Sequence, residues 1–182
     1  MSHPKISSIL ITKLTEYPEI ILERLDINDF FDEILIVNES ANVYNRYIAA
    51  AKAKSDIIFV CDDDVLVNYQ HLFKHYNGQI TNAMTKDFIQ KYKDKGCTLV
   101  GWGCYFPKSM LGVFDKYIER YGSDDKHLLR EADRIFTYLN QPFNTVQMPH
   151  EDLEQTSDRM GYQPEHYTSM DEALEKCKKL VI

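Results

Sequence analysis

The sequence lacks several features that would place it in a special class of protein. It has no apolar run long enough to span a bilayer, and its N-terminus shows no signal-peptide pattern. Its 7 glycines and 6 prolines are scattered, and it contains neither an internal repeat nor a low-complexity tract. We therefore expect a cytoplasmic protein in which residues 1–182 form a single domain, since a chain with 44% hydrophobic residues can bury a sizeable core.

Cysteine motifs and an excess of basic charge are also missing. The four cysteines show no CxxC or Cys/His ligand spacing, which argues against a cysteine-based metal centre and fits free thiols in a reducing compartment. A formal net charge of -7 and a pI near 5.3 argue against a surface built mainly to bind nucleic acid through its phosphates. They do not exclude a local basic groove.

Three consecutive aspartates follow a strongly apolar segment, and the rest of the chain can be arranged around this point. Residues 57–61 read Ile-Ile-Phe-Val-Cys, which predicts a buried parallel strand. Asp62, Asp63 and Asp64 would then lie just beyond its carboxyl end, where open α/β sheets bind ligands. Crowded carboxylates repel one another unless a cation or hydrogen bonds compensate them, and a hard divalent cation is the natural counter-charge. The alternative interpretation is a solvated acidic turn that caps the next helix.

The apolar segments predict an α/β fold with a mostly parallel sheet. The predicted strands are 6–14, 34–37, 56–61, 97–106 and 144–148, and the predicted helices are 18–27, 42–54, 69–76, 86–95, 110–121, 125–139 and 169–180. The first five elements have βαβαβ order, and the handedness of such crossovers makes the sheet parallel there. Ser169 and Glu172 have the spacing of a capping box at the start of the last helix.

Two residues in the second half of the chain allow two interpretations each. Trp102, the single tryptophan, stands between Gly101 and Gly103, which let a backbone or a ligand approach closely, although burial in the core is the plainer interpretation. Asp133 follows Leu129 by four residues, so its carboxylate lies beside the apolar stripe of its helix. Asp133 is either a residue at the edge of the stripe whose carboxylate reaches water, or a carboxylate with a role in binding or catalysis.

Taken together, these motifs resemble the GT-A glycosyltransferases, and within them the exostosin-like group. The motifs that carry the resemblance are residues 9–12, 36–40, 45–47, 58–64, 99–106 and 132–136, in the family's order. The resemblance implies one GT-A-like, Rossmann-related domain whose central sheet is flanked by helices, with a nucleotide-binding half at 1–67 and an acceptor-side half at 97–182. It also implies transfer of a sugar from a nucleotide-diphosphate sugar, here a UDP-sugar, to a hydroxyl of a saccharide or another acceptor.

The resemblance assigns roles to individual residues. Asp62 and Asp64 would form the DxD motif, with Asp64 bound to Mn²⁺ or Mg²⁺ and Asp62 near the ribose or the donor sugar. The residues expected around the nucleotide and donor are Thr12, Asn38, Asn45, Arg46, Asp62 and Asp63. Asp133 would handle the acceptor hydroxyl, as a base in an inverting enzyme or as an orienting group in a retaining one.

The sequence departs from the family at two places. The family's Glu-Asp pair reads Ala132-Asp133 here, and the arginine that follows the family's C-terminal histidine is absent, with Met170 near its place. Ser157 and His166 look like remnants of that C-terminal motif, and His166, Lys176 or Lys178 would have to replace the arginine at the diphosphate. Three other functions stay open: a GT-A-fold binding module without catalysis, a sugar-nucleotide pyrophosphorylase, and a glycosyltransferase that acts on modified DNA bases. The missing arginine favours the first, whereas the aspartates argue against it; no Gly-rich, basic loop supports the second.

Overall fold

The computed structural model describes residues 4–12, 30–38, 42–63, 65–149, 151–152 and 164–181. The strands are β1 (Ile6–Thr12), β2 (Glu33–Asn38), β3 (Ile57–Asp62), β4 (Val65–Leu66), β5 (Thr81–Met84), β6 (Cys104–Pro107), β7 (Asn144–Gln147) and β8 (Glu151–Asp152). The helices are α1 (Asn45–Lys52), α2 (Tyr69–Phe73), α3 (Lys86–Lys93), α4 (Val113–Tyr121), α5 (Lys126–Leu139) and α6 (Pro164–Val181), and a 3-10 helix spans Lys108–Gly112. The helix predicted at 18–27 lies outside the described residues.

A six-stranded mixed sheet organises the chain, in the order β2-β1-β3-β6-β5-β7. β1 pairs in parallel with β2 and β3, and β5 pairs in parallel with β7, whereas β6 runs antiparallel between β3 and β5. Five of these six strands therefore point the same way, which confirms the predicted α/β class with a mostly parallel sheet. β4 and β8 form a separate two-stranded sheet.

Aromatic packing holds α1 and α5 side by side on the sheet. The Tyr47 ring of α1 lies 4.8 Å from the Phe136 ring of α5, and Phe136 lies 4.8 Å from Phe106 of β6. The backbone N–H of Val43 donates to the carbonyl of Leu129, 2.8 Å away, just before α1 begins. Since both helices are fixed to the same strands, their polar residues keep a defined separation.

The sequence did not predict the short strands β4 and β8, and it was wrong about β5, about the extent of β6 and about the start of α6. β5 was not predicted, because its residues Thr81 and Asn82 look polar; both are fully buried in the sheet. The strand predicted at 97–106 contains only β6 at its end, since residues 100–103 form a turn in which the Gly103 N–H donates to the Val100 carbonyl, 3.2 Å away. α6 already includes Pro164, so Ser169 lies inside the helix and is not its cap.

The cysteines and the lengths of the helices also bear on the sequence predictions. All four cysteines are buried and free, and Cys61 and Cys104 pack among apolar side chains as expected. In the part of the chain that the structure describes, no helix has the length and apolar character needed to cross a membrane.

Candidate active site

The polar ends of three parallel strands lie at one edge of the sheet. Thr12 is paired with Asn38, and its neighbour Ile11 is paired with Asp62, the last residue of β3. Thr12 is fully buried, whereas Asp62 keeps 32% of its side chain exposed. The structure therefore brings Thr12, Asn38 and Asp62 to the edge at which the sequence predicted a ligand.

Arg46 connects this strand end to helix α5. It is the second residue of α1 and is only 5% exposed. Its Nη2 lies 3.1 Å from Oδ1 of Asp62, and its Nη1 donates to Oδ2 of Asp133, 3.0 Å away. A planar guanidinium presents several donors in a fixed fork, so one side chain can hold two carboxylates at a set distance. Asp62 and Asp133, 71 residues apart in sequence, are thus joined through a single residue.

Asp133 is buried and held on both carboxylate oxygens. It is 4% exposed, and its Oδ1 accepts a hydrogen bond from the Tyr47 hydroxyl, 2.8 Å away. Burial, together with the negative charge of Asp133, raises the pKa of Tyr47 well above its ordinary value, so the hydroxyl keeps its proton and stays a donor. The inward position that the helix spacing predicted for Asp133 is confirmed. Its partners make it part of a buried network and not a boundary residue reaching water.

A kink in α5 precedes Asp133 by two residues. Glu131 has φ -115° and ψ 25°, outside the helical region, and its side chain is fully buried. Beyond the kink, the Thr137 hydroxyl donates to the backbone carbonyl of Asp133, 2.8 Å away. The kink turns the helix next to the carboxylate that meets Arg46, and such departures from helical geometry often occur at functional sites.

Gly101 lies against the carboxylate of Asp62. The Asp62 N–H donates to the Gly101 carbonyl, 2.7 Å away, which ties the turn before β6 to the end of β3. A β-carbon placed on Gly101 would stand 2.0 Å from Oδ2 of Asp62, closer than any real contact. Glycine is therefore required here because the aspartate side chain uses the space that any other residue would need.

The remaining predicted site residues are only partly described. Asp63 is buried, and Asn45 is half-buried at the first position of α1. Asp64 and Ser157 lie outside the described residues, and the Asn38 and His166 side chains are likewise not described. Two of the candidates to replace the missing arginine have other partners, since Lys176 forms an ion pair with Asp125 and Lys178 with Glu175.

Two residues of the site were not predicted as such from the sequence. Tyr47 and Gly101 lie in two of the motifs that carry the family resemblance, 45–47 and 99–106, but nothing in the sequence assigned either of them a role in the site. A tyrosine directly after the Asn45-Arg46 pair is the one local signal for the former, because its hydroxyl suits a buried carboxylate partner. Nothing local signals the contact of Gly101 with Asp62, which depends on the pairing of β3 with the turn before β6.

Known proteins resemble this chain in structure. No protein-family model matches it, and no curated protein matches it. A crystal structure of glucosyl-3-phosphoglycerate synthase from Mycobacterium tuberculosis with Mn²⁺, UDP-glucose and glycerol 3-phosphate matches with a TM-score of 0.55 at 12% identity, covering 96% of this chain and 80% of that chain. A crystal structure of the same enzyme with Mg²⁺ and UDP matches with a TM-score of 0.53 at 12% identity and the same coverage, 96% and 80%.

At 12% identity these matches show a common fold and nothing about activity. They do not support the narrower likeness to the exostosin-like group, because these structural neighbours belong to a different enzyme. They do agree with the six-stranded, mostly parallel sheet described above. The chain has a GT-A glycosyltransferase fold.

Proposed function

We propose that this protein is a metal-dependent glycosyltransferase that moves a sugar from a nucleotide-diphosphate sugar, a UDP-sugar, to an acceptor hydroxyl. The observation that carries the proposal is the Arg46 bridge, which links Asp62 at a strand end to buried Asp133. Buried charges are costly unless they are paired, so a linked set of this kind at the ligand-binding edge of a sheet favours a functional site. The likeness in fold to an enzyme crystallised with UDP-glucose and Mn²⁺ supports the same interpretation.

A divalent cation, Mn²⁺ or Mg²⁺, fits the residues at this edge. Asp62 presents a partly exposed carboxylate beside buried Asp63, and hard cations take oxygen ligands. Among the described residues, no three metal-ligating side chains lie together. A cation bound here would also take phosphate oxygens of the nucleotide, since Mg²⁺ in nucleotide sites uses only one or two protein carboxylates.

We assign Asp64 and Asp62 as the protein ligands of that cation. When bound, it would neutralise the diphosphate and stabilise it as it leaves. Thr12, Asn38, Asn45 and Asp63 line the donor side in this proposal. The Nη2 of Arg46 keeps Asp62 in place, and its Nη1 donates to Asp133. A contact between Arg46 and the nucleotide sugar therefore stays a prediction.

Asp133 suits an orienting role better than that of a base. Both of its oxygens already accept hydrogen bonds, from Arg46 and from Tyr47, and a proton on either oxygen would compete with those donors. Each carboxylate oxygen has further lone-pair capacity, so Asp133 can still accept a hydrogen bond from a substrate hydroxyl. In this proposal it fixes the hydroxyl and supplies negative charge near the reacting carbon. The likeness to the exostosin-like group rests on the sequence motifs alone.

Calorimetry with UDP tests the proposal. We expect UDP to bind in Mn²⁺ and to lose most of its affinity in EDTA, because the aspartates repel a diphosphate that lacks a cation. Asp64→Ala should remove the metal-dependent part of the affinity. Asp56→Ala is the matched control, since Asp56 is exposed at the opposite end of β3.

Two results separate the proposed enzyme from its alternatives. Slow hydrolysis of UDP-sugars that requires Mn²⁺ would support glycosyl transfer. Metal-dependent UDP binding without hydrolysis or transfer to any acceptor would instead indicate the binding module. Equal UDP affinity in EDTA and in Mn²⁺ would contradict the metal-bridged site altogether.

A further inference from the structure

Trp102 lies next to the Asp62 corner of the proposed site. The turn from Val100 to Gly103 carries it at the start of β6, and that end of β6 meets the carboxyl end of β3 because the two strands are antiparallel. Its neighbour Gly101 contacts the Asp62 carboxylate. Trp102 itself is half-buried and packs against the buried residues Met84, Tyr92 and Met170.

An aromatic strip continues from Trp102 across α3 to α6. The Phe88 ring packs edge-to-face on Trp102, with centroids 5.0 Å apart. Lys91 of α3 follows, with its Nζ 5.8 Å from the centre of the Phe88 ring and 4.3 Å from that of Tyr167. Lys91 also hydrogen-bonds the Tyr167 hydroxyl, which fixes Tyr167 against α3. We define the aromatic strip as Trp102, Phe88 and Tyr167, linked by Lys91.

The aromatic strip lies at the same edge of the sheet as the strand-end aspartates. β5 is parallel to β3, so α3, which begins just after β5, starts at the edge where β3 ends. Phe88 belongs to the first turn of α3. Below the aromatic strip, Met84, Tyr92 and Met170 are buried and support it. Core packing therefore holds the aromatic strip, while Phe88 and Trp102 are only half-buried and Tyr167 is 39% exposed.

We propose that the aromatic strip is the acceptor subsite and that the acceptor is a saccharide. This inference rests on the proposed function. Exposed apolar surface beside a reacting centre marks a ligand-binding groove, and flat rings offer large contact area that is already ordered. The C–H-bearing face of a pyranose ring matches such a surface, whereas a small open-chain polyol has no comparable apolar face. The hydroxyl of the sugar unit nearest to Trp102 would then lie toward Asp62 and Asp133.

The single tryptophan provides a direct test, because all indole fluorescence comes from Trp102. The full-length protein is titrated with methyl glycosides of glucose, galactose and mannose and with maltose, cellobiose and lactose, and glycerol serves as the open-chain control. We expect at least one sugar to change the emission with a Kd of about 1 mM, the range of weak contacts, and glycerol to leave it unchanged. No change with any sugar, or the same change with glycerol, would overturn the proposal.

Variants test whether the whole strip contributes. Tyr167→Ala should weaken the sugar-dependent change several-fold, and the acceptor KM should rise while UDP affinity in Mn²⁺ stays the same. Tyr121→Ala is the control, since Tyr121 is a half-buried tyrosine of α4 whose hydroxyl donates to the Lys176 carbonyl, on another part of α6. An unchanged titration in Tyr167→Ala would contradict the role of the strip.

Parallel UDP calorimetry distinguishes the two proposals. If UDP binds with Mn²⁺ and no sugar affects Trp102, the acceptor subsite is wrong while the proposed function stands. If sugars affect Trp102 but UDP does not bind, the proposed function fails, and the assignment of the strip to an acceptor fails with it.

Discussion

The Asp62 carboxylate occupies the space that a side chain on Gly101 would need, with Oδ2 only 2.0 Å from the position of an added β-carbon. We predict that Gly101→Ala displaces Asp62 and breaks its contact with Arg46. Because Asp62 is a proposed metal ligand, metal-dependent UDP affinity should fall at least tenfold, which corresponds to about 1.4 kcal/mol. Calorimetry with UDP and Mn²⁺ measures the change.

Gly112→Ala is the matched control for this prediction. Gly112 has an ordinary backbone conformation, and a β-carbon there would meet nothing within 4 Å. We expect this variant to bind UDP as the parent does. Equal binding by both glycine variants would show that the position of Asp62 does not matter for the nucleotide.

Arg46 is expected to be the most sensitive residue of the buried network. Removing one partner of a buried ion pair leaves an uncompensated charge, which costs about 3–5 kcal/mol. Arg46→Ala should therefore lower the free energy of unfolding by about 3 kcal/mol or more, because Asp133 stays buried without its cation. Arg46→Lys should recover only part of this loss, since one ammonium cannot present the same fork to two carboxylates.

Urea unfolding measures the Arg46 effect. Arg120→Ala is the control, because Arg120 is exposed and donates to a backbone carbonyl on α6. Exposed groups of this kind contribute little, so we expect a change within about 0.5 kcal/mol. A similarly small loss for Arg46→Ala would mean that the bridge between Asp62 and Asp133 is not a buried ion pair in solution.

Much of the fold could be predicted from local pattern. Apolar runs bounded by polar residues located β1, β2 and β3, and the period of the stripes located α1 and α5. Strand β5 could not be found this way, because its polar residue Asn82 accepts a hydrogen bond from the Thr145 hydroxyl, 2.9 Å away on β7 and 63 residues later in sequence. The antiparallel direction of β6 is likewise a property of the whole sheet and not of its sequence.

Several residues of the site could be predicted from the sequence, but the contacts that join them could not. Aspartates after a buried strand and beside a helical stripe stand out because burial makes them costly. Arg46 was expected at the donor, whereas the structure gives it two carboxylate partners that lie 16 and 87 residues away in sequence. No local pattern reports such partners, so both the Arg46 bridge and the aromatic strip emerge only when the strands and helices are assembled.

Tyr47 is predicted to position Asp133. Tyr47→Phe keeps the ring that packs against Phe136 but removes the hydroxyl that donates to Asp133. We expect a loss of about 1 kcal/mol in the free energy of unfolding and a several-fold fall in kcat with the donor KM unchanged. Asp133→Asn should reduce kcat much further, because it removes the charge as well.

A double-mutant cycle on these two positions checks the link. If Tyr47 acts through Asp133, the kcat effects of Tyr47→Phe and Asp133→Asn will not add, and the unfolding free energies should show a coupling of about 0.5–3 kcal/mol. Tyr117→Phe offers a comparison, since its hydroxyl donates to Asp125, away from the Arg46 network. Strictly additive effects at positions 47 and 133 would refute the positioning role.

The last prediction concerns Asp125, which caps α5 and joins it to α6. Burial works against its charge, but the Lys176 ammonium, the Leu128 N–H and the Tyr117 hydroxyl outweigh burial and hold the pKa of Asp125 below its ordinary value. A carboxylate with a lowered pKa in the folded state stabilises the protein above its unfolded pKa, about 3.9, and this contribution is lost as the pH falls through the folded pKa. Asp125→Asn keeps a good capping side chain while removing the charge, so it should cost about 2 kcal/mol at pH 7 and progressively less below pH 4. Urea unfolding of the parent protein and of Asp125→Asn from pH 7 to pH 3 tests this. Asp115→Asn is the control, because Asp115 is an exposed acid in the first turn of α4. A loss for Asp125→Asn that stays constant over the whole pH range would mean that capping and not charge joins the two helices.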